Sequence, residues 1–266
     1  MSSVDARDRV RGVVLGLAAG DRNGGPIRMA LELSDSLIEL QRYSGPDVFH
    51  RYLSWYQREG FDTGPIAAQV FDSALLGVSP GEAAKAAHEA SGQLSAGCNP
   101  AHRAGPLAAC AWISDEALPQ AAIEEAALTH YDPLAGEVAA GLVRTCRALI
   151  RGLPWELALA KGRRGRDHEV AVALKPQRNV TLDSGGYAPA VLRAAVWFVS
   201  ESRWPEEAIK ASIDFAGPEN YAPVIVGALA GARWGGAAVD EAGLRHLGEL
   251  RPQVEAAAER LSEGWA

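Results

Sequence analysis

The sequence predicts an all-α protein, and three observations carry that expectation. Of its 266 residues 48% are apolar but only 7% are aromatic, so Ala, Leu and Val must fill most of the core. Ala loses no side-chain entropy in a helix and lets helix axes approach closely, which favours packed helices. Apolar residues recur at helical spacing along most of the chain. The linkers are short, and none is Ser- or Pro-rich enough to separate domains. At this length one core still suffices, so residues 1–266 read as one compact domain of packed helices.

The first helix is expected over about 5–19, with Val10, Val13, Val14 and Leu17 on its apolar face. Gly12, Gly16 and Gly20 are spaced by four and put a smooth stripe along it, which suits close packing against another helix. It stops in Gly20-Asp21-Arg22-Asn23-Gly24-Gly25-Pro26, a turn rich in residues that accept positive φ. Helical patterns follow at 28–42, 46–58, 65–76 and 80–92, the last opened by Ser79 at N-cap and Pro80 at N1. Further patterns fit 101–113, 119–129, 133–151, 154–161, 186–201, 204–215, 221–234, 239–246 and 249–262. The rhythm breaks at 162–186, which has no helical period and one β-like run at Val170–Leu174. Such a long loop inside a compact domain is either functional or a solvated excursion. Lys161, Arg163, Arg164 and Arg166 are unusual in an acidic chain, and the sharper reading makes the segment a lid that meets phosphate.

Composition narrows the partners. A net charge of −7 argues against bulk attraction to nucleic acid or an anionic membrane. No apolar run reaches the length of a membrane span. The charged start MSSVDARDRVRG lacks a signal-peptide core. Three cysteines, Cys98, Cys110 and Cys146, without C-x-x-C spacing suit a reducing compartment, so the cytoplasm is expected. No metal motif and no cofactor motif is legible.

Three stretches, in order, resemble the ADP-ribosylglycohydrolase family. Gly12-Val-Val-Leu-Gly16-Leu-Ala-Ala-Gly20-Asp21 is similar to its first motif. Gly97-Cys98-Asn99-Pro100-Ala101-His102-Arg103 is similar to its central loop, where Asn-Gly-Ser-x-x-Arg is usual. Ala216-Gly217-Pro218-Glu219-Asn220-Tyr221, followed by Gly227-Ala-Leu-Ala-Gly231, is similar to its last motif. Gly60-Phe61-Asp62-Thr63-Gly64, Thr129-His130-Tyr131-Asp132-Pro133 and Gly185-Gly186-Tyr187 are weaker echoes. The resemblance spans nearly the whole chain and implies the family's orthogonal helical fold and a small-molecule ADP-ribosyl-type ligand.

The departures bear on chemistry. Family enzymes hold two Mg²⁺ ions with a Thr-Asp-Asp-Thr motif and a later Asp-x-Asp-Thr motif. Here Gly25 and Pro26 precede Met29-Ala30-Leu31, and Pro218 and Asn220 stand in the late motif. Hard divalent ions need several oxygens gathered in one place, so no magnesium and no other cofactor is expected. Hydrolysis of an N-glycosidic bond then depends on side chains that activate water, steady an oxocarbenium-like centre and help the leaving group depart. Glu219, Asp21 and Asp62 are the candidate catalytic carboxylates, with Glu219 first, although Asp62 also suits a helix-entry cap. Asn99 and His102 open a helix whose N–H groups suit a diphosphate, and Arg103 could clamp it. His130, Asn220, Tyr187 and Tyr221 complete the candidate binding set, the tyrosines as stacking surfaces and His130 alternatively as a structural histidine. Cys98 could act as a nucleophile, though no supporting His-Asn pair is legible. The expected function is a metal-independent glycohydrolase acting on an ADP-ribosyl or NAD-derived nucleotide. A non-catalytic nucleotide-binding protein and a structural descendant of the fold are the alternatives.

Overall fold

The computed structural model describes residues 4–177 and 180–265. Within them the chain forms fifteen α-helices, two 3-10 segments and one isolated β-bridge, Gly97 with Tyr187. In order the helices are α1 (Ala6–Gly20), α2 (Gly25–Leu40), α3 (Gly45–Arg58), α4 (Pro65–Leu75) and α5 (Pro80–Ala90). Next come α6 (Asn99–Arg103), α7 (Gly105–Ala109), α8 (Leu118–Ala127), α9 (Pro133–Ile150) and α10 (Trp155–Arg163). The last five are α11 (His168–Ala173), α12 (Ala188–Glu201), α13 (Pro205–Ala216), α14 (Tyr221–Trp234) and α15 (Arg251–Glu263). No described helix is long and apolar enough to cross a membrane.

The centre is the crossing of α1 and α14, with α9, α12 and α13 also packed on α14. The small-residue stripe makes this possible. A Cβ on Gly16 would lie 2.1 Å from the Gly227 carbonyl oxygen, and one on Gly20 would lie 2.0 Å from that of Pro223. The backbones therefore touch, and the N-terminus of α14 is held against the C-terminus of α1. That contact brings the 20–26 turn beside the 217–221 turn.

The structure departs from the expected elements in three places. The helix expected over 101–113 is two short helices. Pro106 has no N–H to give, and proline disfavours helical backbone in the residue before it, so the chain turns at 104–105. The β-like run Val170–Leu174 lies largely in α11, because Asp167 accepts a 2.8 Å bond from the Glu169 N–H and starts a helix there. The spacing of Val170 and Ala173 then buries both on one face. Residues 178–179 of the irregular 162–186 segment lie outside the described residues. The helix expected over 239–246 is a 3-10 segment, Glu241–Leu250, bent at Gly248 (φ 51°).

One buried cation organises the middle of the chain. Arg147 on α9 donates to the carbonyls of Leu107, Ala108, Cys110 and Ile113, which closes the C-terminus of α7, and pairs with Asp115 at 2.8 Å. A guanidinium has five donors, and this site uses them on backbone oxygens that no helix turn could satisfy.

Candidate functional site

Asp21 sits where three helix ends meet. Its carboxylate, fully buried, accepts from the N–H groups of Asn23 (3.2 Å), Gly24 (2.8 Å) and Ile27 (2.7 Å) and from Asn220 Nδ2 (2.7 Å). Oδ1 accepts three of these bonds and Oδ2 one, so four donors hold the carboxylate in place. The charge also lies at the positive end of α2, whose own N-cap Gly24 offers no side chain. Asp21 is therefore a capping group that fixes the cleft from beneath. Expected as a base or electrostatic stabiliser, it is fully buried and not among the cleft's lining residues, so it does not meet a ligand there as a base.

Above it lies a cleft of about 220 Å³, lined by Asn23, Asp62, Asn99, His102, Glu219 and Tyr221 among others. The 20–26 turn, the 59–64 loop and the starts of α6 and α14 converge there. Asp62 has φ 51°, a left-handed conformation that Asp tolerates better than most residues. It does not cap α4, whose N-cap is Gly64. Its carboxylate faces Asn23 Nδ2 at 3.4 Å instead. Burial raises the Asp62 pKa above the ordinary carboxylate range, with the Asp21 charge adding most after it and Glu219 also contributing, while bonds from Asn23 and Gly25 oppose. Glu219 is exposed on the facing turn, and its backbone carbonyl accepts from the Arg22 guanidinium. The Tyr221 phenol beside it is raised, by burial first and then by the Glu219 charge.

His102 is buried at the cleft wall. Its Nε2 donates to the Tyr221 carbonyl at 2.8 Å, because a carbonyl can only accept, and burial pushes the imidazole down to about 4. The ring is thus neutral near pH 7 and ties α6 to α14. His130 lies deeper, bonded through Nδ1 to Thr129 Oγ1 at 2.9 Å, and burial pushes it down to about 3. Both imidazoles are held uncharged, so stability is complete above the unfolded value of about 6.5 and is lost as pH falls towards their folded values. The loss amounts to about 1.4 kcal/mol per histidine for each pH unit. Denaturant unfolding near pH 7 and near pH 5 should show this drop, and replacing His102 by Asn should shrink it; equal stability at both would contradict it.

Two expected ligand contacts fall elsewhere. The Arg103 side chain points into the interior, where Nε bonds Glu125 Oε1 at 2.6 Å, Nη2 bonds Thr129 at 2.8 Å and the guanidinium lies over the Tyr52 ring. It cannot clamp a diphosphate from there, which corrects that expectation. Cys98 is buried and its thiol is pushed well up by that burial, so it is no nucleophile. Its backbone N–H instead bonds the Gly186 carbonyl at 3.1 Å.

Tyr187 belongs to an adjoining hollow of about 400 Å³, lined by Gly97, Asp132, Leu134 and Gly186 among others, and donates to Glu169 at 2.8 Å. Gly186 lies against the Tyr221 ring, so the two hollows meet across that residue. Asn23 and Glu125 were not foreseen. Asn23 stands in the Gly-rich turn already singled out, and Glu125 interrupts the apolar face of α8, which is the mark of a buried carboxylate.

The residues present do not fit a dinuclear magnesium centre. Gly24, Gly25 and Pro26 offer no side-chain oxygen, Asn220 is spent on Asp21 and the Arg22 N–H, and Asp21 on its four donors. Among the described residues no three His, Cys, Asp or Glu side chains gather as a metal site.

A family model described as ADP-ribosylglycohydrolase matches residues 2–266. A solved structure described as "ADP-ribosylglycohydrolase-related protein complex" is 25% identical, with a TM-score of 0.78 over 98% of this chain and 99% of that chain. A search of curated proteins finds no match.

Proposed function

Because the chain belongs to the ADP-ribosylglycohydrolase family, we propose that it is a glycohydrolase acting without metal on the N-glycosidic bond of an ADP-ribosyl or NAD-derived nucleotide. The observation that carries this is the pairing of Asp62 and Glu219 on one cleft, the first with a raised pKa and the second open to solvent. Carboxyls in unlike surroundings can divide acid and base roles. The exposed Glu219 carboxylate takes a proton from water as its oxygen bonds the anomeric carbon. The ribosyl–nitrogen bond breaks, and Asp62, in its protonated form, which burial favours, gives its proton to a basic leaving nitrogen. A pyridinium leaves as a neutral ring and needs no such proton. Asn99 and the neutral His102 shape the ribose side, and the Tyr187 hollow offers an apolar wall with room for a nucleobase. No nucleic acid or membrane partner enters this reading, and a reducing, cytoplasmic setting remains its premise.

Calorimetry with ADP-ribose, ADP and ribose in excess chelator tests the reading. ADP-ribose is expected to bind below millimolar and to stabilise the fold by about 2.7 kcal/mol at about a hundredfold excess over Kd. Adding Mg²⁺ is expected to leave the melting temperature unchanged. A saturable upward shift with Mg²⁺ would overturn metal independence. Binding without turnover of any ADP-ribosyl substrate would favour the non-catalytic alternative, and no binding below millimolar the structural one.

A further inference from the structure

Away from the cleft just described, a groove of about 450 Å³ runs between α9 and α10 beside residues 115–119. Arg144 and Arg147 on α9 and Arg151, its C-cap, recur at helical spacing and line it, and Lys161 of α10 lines it from the other side. The two helices are locked at a close crossing: a Cβ on Gly162 would lie 2.0 Å from Thr145 Oγ1 and 2.9 Å from the Gly141 carbonyl. The cations are thus held in place by the scaffold.

Their compensation is incomplete. Arg147 is spent on carbonyls and on Asp115, and Arg151 pairs with the same carboxylate at 2.7 Å. Arg166 takes Glu137. Among the described residues neither Arg144 nor Lys161 has a carboxylate within ion-pair distance, and Arg144 donates only to the Arg164 carbonyl. Four cations therefore face two carboxylates, Asp115 and Glu116, in a chain whose net charge is −7. Burial, and then the charges of Arg166 and Arg164, disfavour the Arg144 cation, so positive charge is crowded around a guanidinium that has no carboxylate within ion-pair distance among the described residues. Pro119 and Leu153, both partly exposed, line the same groove and give it an apolar side.

We propose that this groove is a second ligand site, which takes the phosphates of a small di- or oligophosphate on Arg144 and Lys161 and its organic group on the Pro119–Leu153 side. Of the basic residues Lys161, Arg163, Arg164 and Arg166, Lys161 alone lines this groove, and none of them lines the Asp62–Glu219 cleft.

The test is calorimetric titration with inorganic pyrophosphate in excess chelator at low salt. Wild type is expected to bind below millimolar. The exposed Lys161→Gln should weaken binding about threefold, and the double variant Arg144→Gln/Lys161→Gln about tenfold or more. Lys210→Gln, which removes the same charge from an exposed place on α13, should bind as wild type. If the double variant melts lower than wild type, Lys161→Gln alone decides. No wild-type binding below millimolar, unchanged binding in Lys161→Gln, or an equal loss in Lys210→Gln would overturn the site.

Discussion

With an ADP-ribosyl substrate that wild type hydrolyses, Glu219→Gln is expected to lower kcat by about 10²–10⁴-fold without moving the melting temperature. The side chain is exposed and carries no buried contact, so its loss cannot act through folding. Glutamine keeps the shape and the hydrogen-bonding reach but cannot take a proton from water. Asp62→Asn should cost a similar factor for a basic leaving group and far less for a pyridinium, which needs no proton. The pH profile carries an independent sign. Asp62 acts as an acid, its pKa is raised, and activity should fall as pH climbs through that raised value. Asp62→Asn should flatten this alkaline limb. Full activity in Glu219→Gln would reject its role as base, and a limb unchanged in Asp62→Asn would reject Asp62 as acid.

Arg103→Ala and Glu125→Ala are expected to destabilise the fold by about 3–5 kcal/mol each, because either leaves a charge buried without its partner. The two side chains are 1% and 0% exposed and 2.6 Å apart. Glu125 also accepts from the Tyr52 hydroxyl at 2.8 Å, so the pair ties α3, α6 and α8 behind the cleft. Whole domains are stable by about 5–15 kcal/mol, so either change removes a large share. The double replacement Arg103→Met/Glu125→Leu should recover much of the loss, since it removes both charges together. Denaturant unfolding without ligand measures this. Wild-type stability in Arg103→Ala combined with weaker ADP-ribose binding would show that the guanidinium reaches the cleft after all.

The helical architecture was legible because it rests on local signals. Apolar spacing, Ser79-Pro80 and the Gly12-Gly16-Gly20 stripe each act within one element, and the stripe does pack against Gly227 and Gly231. The misreadings came where spacing alone is silent. Val170–Leu174 has β-branched residues but a cap at Asp167 outweighs them, and Pro106 splits a helix whose apolar pattern runs on. At the site, Asp62, Asn99, His102, Glu219, Asn220 and Tyr221 were placed together by the order of motifs. What sequence order could not show is direction. Arg103 neighbours His102 on a helix, so one turns to the cleft and the other to Glu125, and the partner that draws it inward is 22 residues away. Asp21 likewise looked free until the N–H groups of the next helix closed around it.

The most direct test of the account is a crystal soaked with ADP-ribose in the presence of chelator. The terminal ribose is expected between Asp62 and Glu219, the adenosine end over the hollow beside Tyr187, and no metal density at Gly25, Pro26 or Asn220. Ordered ADP-ribose elsewhere on the surface, or an empty cleft at saturating ligand, would contradict it.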